Sequence, residues 1–468
     1  MKSEHPLFSP DPQTIPLDAR VGERAVRIGA RVDTTIDARL PPVAAAFVER
    51  RKGLMIAETF AASAVPFAGM PIPAPATSVA ARVLHVVPSL DPKNGGVAEA
   101  VVQLARHMTP LGCASEVVTL DPEDGPTFDH VDAVVHRVGP GKGFYGFSPR
   151  LAQWIRTHRA RFDAIVVHGI WQFHSVAAWY GVVGTQTPLF VFPHGMLDPW
   201  FQRTYPAKHL KKRVYWSVLE ARVFNRARQV LFTCETELEL ARRPFLQPHH
   251  RLTVNGFGID SMPAEIDAHD AVDAFRAAFP QVTGKRTLLF LSRIHEKKGC
   301  DLLIDAFADV AARDPTVALV IAGPGEAAYV ETLKRQASAR GVQDRIVWTG
   351  MLTGKLKWGA LAAAEVFVLP SHQENFGIAV VEALAARTPV IITTRVNIWK
   401  EIAASGAGWV CADTREGIGE MLTRWVFDTT ADEREAMRSA ANEGFARHFR
   451  IETAARTLLN HVQSARRA

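Results

Sequence analysis

The sequence predicts an α/β protein with two doubly wound parallel-sheet domains that face a central cleft. Short apolar runs typical of buried strands alternate with helical stretches, first within residues 81–260 and again within residues 285–430. A polar, acidic stretch separates the two sets. The chain has 468 residues, of which 47% are hydrophobic, and this is enough for two full cores.

The first set, residues 81–260, is expected to form an N-terminal domain. It opens with a strand at Val83–Val87, a glycine-rich turn at Asn94–Gly96 and a helix at Val97–Met108. Further strands are predicted at Glu116–Leu120, Val134–Val138, Ala164–Val167, Leu189–Phe192 and Gln229–Phe232. Residues 252–260 close this half.

The second set, residues 285–430, is expected to form a C-terminal domain of similar plan. Strands are predicted at Leu288–Ser292, Val317–Ala322, Arg345–Trp348, Val366–Leu369, Val390–Thr393 and Gly408–Val410, and helices at Cys300–Ala312, Ala328–Arg340 and Gly377–Ala386. Residues 261–284, which begin with the polar stretch Ser261–Asp273, are predicted to be a linker. Residues 431–468 are predicted to form helices that cross back to the first domain.

Residues 1–80 are predicted to be a proline-rich extension that is poorly structured or loosely docked. Pro66, Pro71, Pro73 and Pro75 exclude a regular helix or central strand between residues 65 and 77. The first residues do not resemble a secretory signal, and no apolar run reaches the ~18 residues of a spanning helix. The four cysteines have no paired spacing, so neither a zinc site nor a disulfide framework is predicted. A cytoplasmic location fits these features.

The positive charge is concentrated in one segment. The formal net charge is +6, yet Pro199–Arg228 alone contributes +7. This segment has Leu210, Val214 and Val218 at helical spacing, which leaves two interpretations: a core helix with a solvated basic face, or a basic surface that binds an anionic membrane or a lipid-linked pyrophosphate. The candidate basic residues are Lys208, Lys211, Lys212 and Arg213. Nucleic acid is not an expected partner, because no known binding module is present.

Two carboxylates lie where neither propensity nor solubility requires them. Glu374 falls in the loop after the strand Val366–Leu369, at the sheet edge where open α/β sheets bind ligands. Glu382 falls within a helix that is apolar nearly all round, so its carboxylate needs a partner, which a pair of ligand hydroxyls could supply.

Two cations follow a neighbouring predicted strand. Arg293 lies at the strand end and Lys298 just before the helix that starts near Cys300. Arg and Lys beside the free amides of a helix N-terminus suit a diphosphate.

In the first half, Gly96 would let the backbone approach a phosphate or sugar closely, although a plain turn explains it too. His194 follows the strand Leu189–Phe192 and is expected to face the cleft, and His168 has a similar position after another strand.

The run from Gly323 to Ala328 formally satisfies the dinucleotide fingerprint G-x-G-x-x-A. It lies midway through its domain and lacks the expected acid at the end of the following strand. A redox cofactor is therefore not expected. Gly323 is instead interpreted as part of a nucleotide-pocket loop or of a tight turn.

Glu374 and Glu382, with seven residues between them, resemble the E-x7-E pattern of the retaining, nucleotide-sugar-dependent glycosyltransferases of family four. These enzymes have two Rossmann-like domains in the GT-B fold. The resemblance covers Arg82 to Val462, and the segment Pro193–Trp200 is similar to the bacterial exopolysaccharide branch. It does not extend to residues 1–80.

The resemblance implies a role for each matching residue. Arg293 and Lys298, with Gly96 nearby, would hold the donor diphosphate; Glu382 would bind the ribose hydroxyls. Glu374 would contact the donor sugar beside Asn375, Phe376 and Gly377, and His194 would lie near the reacting sugar. Such enzymes are typically metal-independent, so no cofactor is expected besides the UDP- or GDP-sugar donor.

The implied activity is transfer of a hexosyl unit to a saccharide or lipid-linked acceptor with retention of anomeric configuration, by an enzyme that is peripheral at the inner face of the plasma membrane. Two alternatives remain: a nucleotide-sugar epimerase on the same fold, and a non-catalytic sugar- or lipid-binding protein.

Overall fold

The computed structural model describes residues 81–91, 96–125, 128, 131–204, 206–245 and 251–466, which all belong to one compact unit. The predicted extension 1–80, the turn residues Asn94 and Gly95, and the side chain of Lys208 lie outside the described part. No helix in the described part is long and apolar enough to span a bilayer.

The first half forms a sheet of seven parallel strands within the described residues, in the order β3-β2-β1-β4-β5-β6-β7. The strands are β1 (Ala81–Val86), β2 (Cys113–Thr119), β3 (Val134–Arg137), β4 (Ala164–His168), β5 (Leu189–Phe192), β6 (Gln229–Phe232) and β7 (Leu252–Val254). Strand order reverses between β1 and β4, which places a ligand-binding crevice at their carboxyl ends.

The helices of this half are α1 (Gly96–Met108), α2 (Pro149–His158), α3 (Phe173–Val182), α4 (Trp200–Thr204), α5 (Pro206–Tyr215), α6 (Ala221–Arg226) and α7 (Glu235–Ala241). The basic segment that the sequence predicts as one helix is therefore α5 and α6 joined by a π-helical turn, Trp216–Glu220.

The second half forms a six-stranded parallel sheet within the described residues, in the order β10-β9-β8-β11-β12-β13. The strands are β8 (Arg286–Leu291), β9 (Val317–Ala322), β10 (Ile346–Gly350), β11 (Val366–Leu369), β12 (Val390–Thr393) and β13 (Gly408–Cys411). The helices are α8 (Ala268–Ala278), α9 (Cys300–Ala311), α10 (Ala327–Ala339), α11 (Gly354–Ala363), α12 (Ile378–Ala385), α13 (Trp399–Ser405), α14 (Arg415–Thr423), α15 (Ala431–His448) and α16 (Ile451–Arg466). The predicted fold class is confirmed.

The central strands are mostly apolar because helices cover both faces of each sheet. Every residue of β4 and of β9 is buried. This is why these strands are recognisable as short continuous apolar runs.

The predicted linker is not extended along its whole length. Helix α8 begins at Ala268, with Asp267 as its N-cap, and packs on α11. Ala271 and Phe275 lie one turn apart and are both buried, so α8 belongs to the second core. Its polar outer face made the whole stretch resemble a linker.

The last helix leaves the second sheet and packs on the first. The backbone N–H of Ile451 donates to the carbonyl of Ile259 at 3.3 Å, and the Asn255 side chain donates to the carbonyl of Ala454 at 3.2 Å. Helix α16 then packs along α1 with Leu458 and Val462 buried. The chain thus passes between the two halves twice, at neighbouring points.

Candidate active site

The cleft lies between the carboxyl edges of the two sheets. A cavity of about 430 Å³ is lined by groups from both sides, among them Gly96, His194, Glu374 and Glu382. A second cavity, of about 210 Å³, shares His194 and Glu374 with the first and adds Arg293 and Lys298. The sequence-predicted donor residues of the two halves are therefore brought together, except Gly323.

Loops of the two halves touch directly across this cleft. The side-chain amide of Gln373 donates to Asp198 at 3.2 Å, and the Lys297 ammonium lies 4.2 Å from the centre of the Trp200 ring. A Cβ added to Gly195 would fall 2.5 Å from Cγ of Asn375. The two halves are thus in contact at the mouth of the cleft.

Glu374 is ion-paired with Lys298, and both side chains are mostly buried, at 21% and 11% exposed. The backbone of Glu374 is fixed by a bond to the carbonyl of Arg395 at 3.0 Å. Gly299 has φ +67°, and an added Cβ would lie 2.2 Å from the carbonyl oxygen of Pro370. Because only glycine allows this approach, it brings Lys298 to the loop that carries Glu374.

Glu382 is paired with a lysine that sequence reasoning missed. Lys357, on α11, lies 2.7 Å from its carboxylate, and both side chains are largely buried. The carboxylate in this apolar helix therefore has the partner expected from the sequence. Without a ligand, that partner is a cation and not a pair of hydroxyls.

The N-terminus of α12 opens into the larger cavity. Its N-cap is Gly377, at φ +77°, and no side chain caps the helix. Ile378 and Ala379, the first two residues of the helix, line the cavity. The free backbone amides and the helix dipole at this end favour a negatively charged group. The side chain of Phe376 packs instead against Phe257 and Phe449, at ring-centre distances of 5.0 and 5.9 Å.

His194 lies at the junction of the two cavities with a backbone φ of +50°. Its ring stacks on Phe192 at 4.4 Å, and its Nε2 lies 3.0 Å from Nδ1 of His168. The Nε2 of His168 lies in turn 2.9 Å from Nδ1 of His85. Burial lowers the pKa of His194 to about 3 and that of His85 to about 4. His194 is therefore neutral at pH 7.

A buried carboxylate supports the His194 loop. Glu237 accepts hydrogen bonds from the backbone of Gly195 at 2.6 Å and from the backbone of Thr233 at 2.7 Å. Burial raises the pKa of this carboxyl. These bonds tie the loop after β5 to the loop after β6.

Gly323 does not line either cavity of the cleft. An added Cβ would lie 1.9 Å from the carbonyl oxygen of Ser292, and its N–H donates to the carbonyl of Gly350 at 2.7 Å. The sequence allows two interpretations of Gly323, as part of a nucleotide-pocket loop or of a tight turn. These contacts are those of a tight turn.

A third cavity, of about 660 Å³, adjoins the cleft within the first half. Val97 is shared with the 430 Å³ cavity and Met196 with the 210 Å³ cavity. Its outer wall includes Phe144, Trp171 and Lys212, with the Lys212 ammonium 4.7 Å from the centre of the Trp171 ring. A separate cavity of about 680 Å³ lies between α2 and α3, away from the strand ends.

The apolar stripe of the basic segment faces outward. Leu210 is 63% exposed, Val214 61% and Val218 51%, and Lys211 and Arg213 are exposed between them. The core-helix interpretation of these three residues is therefore wrong.

Sequence reasoning missed Lys357 and the histidine row because both depend on contacts between distant segments. His85 did carry a signal, since it is a polar residue inside the apolar strand β1. In the described part of the chain, no group of three or more His, Cys, Asp or Glu side chains is arranged to hold a metal ion.

Comparison with known proteins agrees with this geometry. The family described as glycosyl transferases group 1 matches residues 272–444, and the glycosyl transferase 4-like domain matches residues 95–258. These are the two halves that carry the two sheets.

Similar proteins include mannosylfructose-phosphate synthase of Agrobacterium fabrum, 26% identical over 66% of this chain and 73% of that protein. Another is the GDP-mannose:cellobiosyl-diphosphopolyprenol alpha-mannosyltransferase of Xanthomonas campestris, 25% identical over 78% of this chain and 89% of that one. The structure of Anabaena HepE in complex with UDP and glucose aligns with a TM-score of 0.66 at 17% identity, covering 82% of this chain and 100% of that one. The chain belongs to family four of the glycosyltransferases and has the GT-B fold.

Proposed function

We propose that the protein transfers a hexosyl unit from a UDP- or GDP-sugar to a saccharide or lipid-linked acceptor, with retention of the anomeric configuration. One observation carries this proposal: two cations, two carboxylates and an uncapped helix N-terminus meet in one cleft. Those groups match the charges and hydroxyls of a nucleotide sugar. The names of the relatives support the donor class, since HepE was solved with UDP and the Xanthomonas enzyme uses GDP-mannose.

The diphosphate is assigned to the 210 Å³ cavity, between Arg293 and Lys298. Lys298 is paired with Glu374 in this structure, so the incoming diphosphate has to replace Glu374 as the ion-pair partner of Lys298. Glu374 is then free to accept hydrogen bonds from hydroxyls of the donor sugar. Glu382 makes the same exchange with the ribose hydroxyls, which replace Lys357.

Retention is assigned to attack on the face of the sugar from which the diphosphate departs. The acceptor oxygen bonds to the anomeric carbon as the bond from that carbon to the phosphate oxygen breaks, and the departing phosphate oxygen takes the acceptor proton. Glu374 and Glu382 are the carboxylates among the described residues that line the two cavities, and each is paired with a lysine. This pairing supports a binding role more than a nucleophilic one. Arg293, Lys298 and the helix amides offset the charge of the leaving diphosphate.

The acceptor is assigned to the 660 Å³ cavity, because this cavity shares walls with the donor cleft. Phe144 and Trp171 offer aromatic faces to a sugar ring, and Lys212 offers a cation to an acceptor phosphate. The cavity borders the basic segment through Lys212, so a lipid-linked acceptor can stay in the bilayer while its sugar end enters.

The exposed stripe Leu210, Val214 and Val218 is assigned to an anionic bilayer surface, at the inner face of the plasma membrane. These residues recur every four positions, so they share one face, and Lys211 and Arg213 flank it. An apolar face with cations beside it suits insertion at the headgroup boundary. The substrate would be a precursor of a bacterial exopolysaccharide.

Donor identity is tested by the shift in melting temperature with UDP-, GDP- and ADP-sugars, since a ligand that binds the folded state raises apparent stability. We expect one nucleotide class to raise it and the variant Arg293→Ala to abolish the rise. The anomeric configuration of the product, read by NMR coupling constants, tests retention. Absence of any shift with every nucleotide sugar would contradict the proposal.

Membrane docking is tested by sedimentation with vesicles of phosphatidylcholine alone or with phosphatidylglycerol. The double variants Leu210→Ser/Val214→Ser and Lys211→Glu/Arg213→Glu should both lose binding to the anionic vesicles. Val183→Ser, at an exposed apolar residue off this helix, is the matched control. Equal sedimentation of all forms would rule out this surface.

A further inference from the structure

Three histidines form a row beneath the cleft, on neighbouring strands of the first sheet. His85 lies in β1, His168 ends β4 and His194 follows β5, and these strands are adjacent. His85 is level with Val166, two residues before His168; His168 is level with Phe192, two residues before His194. Steps of two keep all three side chains on one face of the sheet.

The row has a closed end and an open end. His85 and His168 are fully buried, and Nε2 of His85 has no hydrogen-bond partner among the residues that the structure describes. Both ring nitrogens of His168 are used, one toward each neighbour. At the other end, Nδ1 of His194 has no partner among the described residues, and this residue lines both donor cavities. The row therefore points from the core into the cleft.

The three rings share three protons. Burial lowers the pKa of each imidazole below its usual value, with the charges of neighbouring histidines adding to the effect at His168, so all three are neutral at pH 7. Two hydrogen bonds then require one N–H each, and only two arrangements satisfy both. Either every ring carries its proton on Nδ1, toward the cleft, or every ring carries it on Nε2, toward the core.

The surroundings of His85, at the buried end of the row, favour one of these two proton arrangements. With the protons on Nε2, His85 would bury an N–H that has no acceptor, and such orphaned donors are rare in folded proteins. With the protons on Nδ1, His85 buries only a bare nitrogen. The same fold already does this at His174, whose Nε2 donates to the carbonyls of His168 and Gly169 and whose Nδ1 is buried without a partner.

We infer that His85 and His168 are positioning residues that hold His194 as the Nδ1–H tautomer, so that His194 offers the substrate a hydrogen-bond donor and does not act as a base. This inference rests on the proposed function for the identity of the substrate, a nucleotide sugar. In the described part of the chain no carboxylate is hydrogen-bonded to any of the three rings, so a proton added to the row would leave a buried, unpaired charge. An Nδ1–H at this place can bind a sugar hydroxyl or an oxygen of the diphosphate.

The tautomers can be measured directly on the full chain. Long-range ¹H–¹⁵N correlation spectra of ¹⁵N-histidine-labelled protein at pH 7, without substrate, distinguish protonated from bare ring nitrogens. We expect His85, His168 and His194 to be protonated at Nδ1, and His174, as internal reference, at Nε2. Single histidine variants assign the signals. A proton on Nε2 of His194 would overturn the inference.

Two substitutions of His85 separate positioning from packing. His85→Asn keeps an amide donor at the place of Nδ1, whereas His85→Phe keeps ring size without any donor. We expect the Asn variant to preserve the His194 tautomer and most of the activity. The Phe variant should show mixed tautomers at His194 and a kcat lower by about tenfold, the scale of losses on removing an orienting partner, with KM for the acceptor unchanged.

Equal losses in the two variants would show that His85 acts only through packing. His136→Phe, at a partly buried histidine outside the row, is the control for a general effect of the substitution. The tautomer measurement needs no substrate, so it stands even if no nucleotide sugar binds, an outcome that would count against the proposed function alone.

Discussion

Gly195 of the first half lies against Asn375 of the second, so closely that a methyl group on Gly195 would meet Cγ of Asn375 at 2.5 Å. Gly195 has φ +78°, and its N–H is held by the buried carboxylate of Glu237. A hydrogen bond to a buried carboxylate therefore holds the backbone at this contact, which limits how far the loop can shift.

The substitution Gly195→Ala should prevent this contact between the halves. Overpacking costs about 1 to 3 kcal/mol, so we expect kcat/KM to fall by roughly 5- to 160-fold. Gly184→Ala is the matched control, because Gly184 has φ +74° with open space around its Cβ position. If both variants lose the same activity, backbone strain and not the contact is responsible. Steady-state kinetics and the melting temperature of each variant decide this.

The two site carboxylates should differ in the kinetic constant that they affect. Loss of Glu382, in Glu382→Gln, should mainly weaken donor binding and raise its Kd, because the residue is assigned to the ribose. Glu374→Gln should mainly lower kcat, because it is assigned to the reacting sugar. Donor titration by calorimetry and steady-state kinetics measure the two effects. The reverse pattern would contradict the assignment of these residues.

Stability should depend on the ionisation of Glu220. This carboxylate is fully buried, and burial raises its pKa from 4.5 to about 7. Between pH 4.5 and 7 the unfolded chain ionises while the folded one stays protonated, so stability falls as pH rises, to a constant loss of roughly 3 kcal/mol above pH 7.

Glu220→Gln should remove this dependence, because the amide oxygen can still accept from Trp171 and Ser175. We expect the variant to gain stability over the natural protein at pH 8 and little at pH 4.5, in urea unfolding followed at both values. Glu265→Gln, at an exposed carboxylate, is the control. A constant difference at the two pH values would contradict the raised pKa.

A substitution in the wall of the 660 Å³ cavity should change KM for the acceptor and leave KM for the donor unchanged. Phe144 is 95% exposed at the mouth of this cavity, so Phe144→Ala should leave the fold intact. Loss of an aromatic contact of about 0.5 to 1.5 kcal/mol should raise KM for the acceptor roughly 2- to 13-fold. KM for the donor should not change. Tyr180→Ala removes an exposed aromatic ring outside this cavity and should have no effect on either constant.

Most of the fold could be predicted because the strands are apolar on both faces. Leu189–Phe192, Val317–Ala322 and Val366–Leu369 are found with the predicted bounds, since burial on both sides removes polar residues from these runs. Helix α8 was not predicted, because only Ala271 and Phe275 of its residues are buried and its other face is polar.

Residues of the candidate site could be predicted only where their position within one sequence segment indicates a role. Glu374 and Lys298 each follow a predicted strand, and parallel strands bring such ends to one edge. That they form an ion pair, and that Lys357 pairs with Glu382, depends on how distant segments approach each other. Side-chain partners across such distances leave no periodic pattern in the sequence.

Helix α16 packs on α1, although the whole second sheet lies between them in the sequence. During synthesis the first sheet therefore emerges while the side of α1 that α16 covers is still bare. That face stays uncovered until the last helix emerges. The N-terminal half, made alone, would expose apolar surface, and such an intermediate is prone to aggregate.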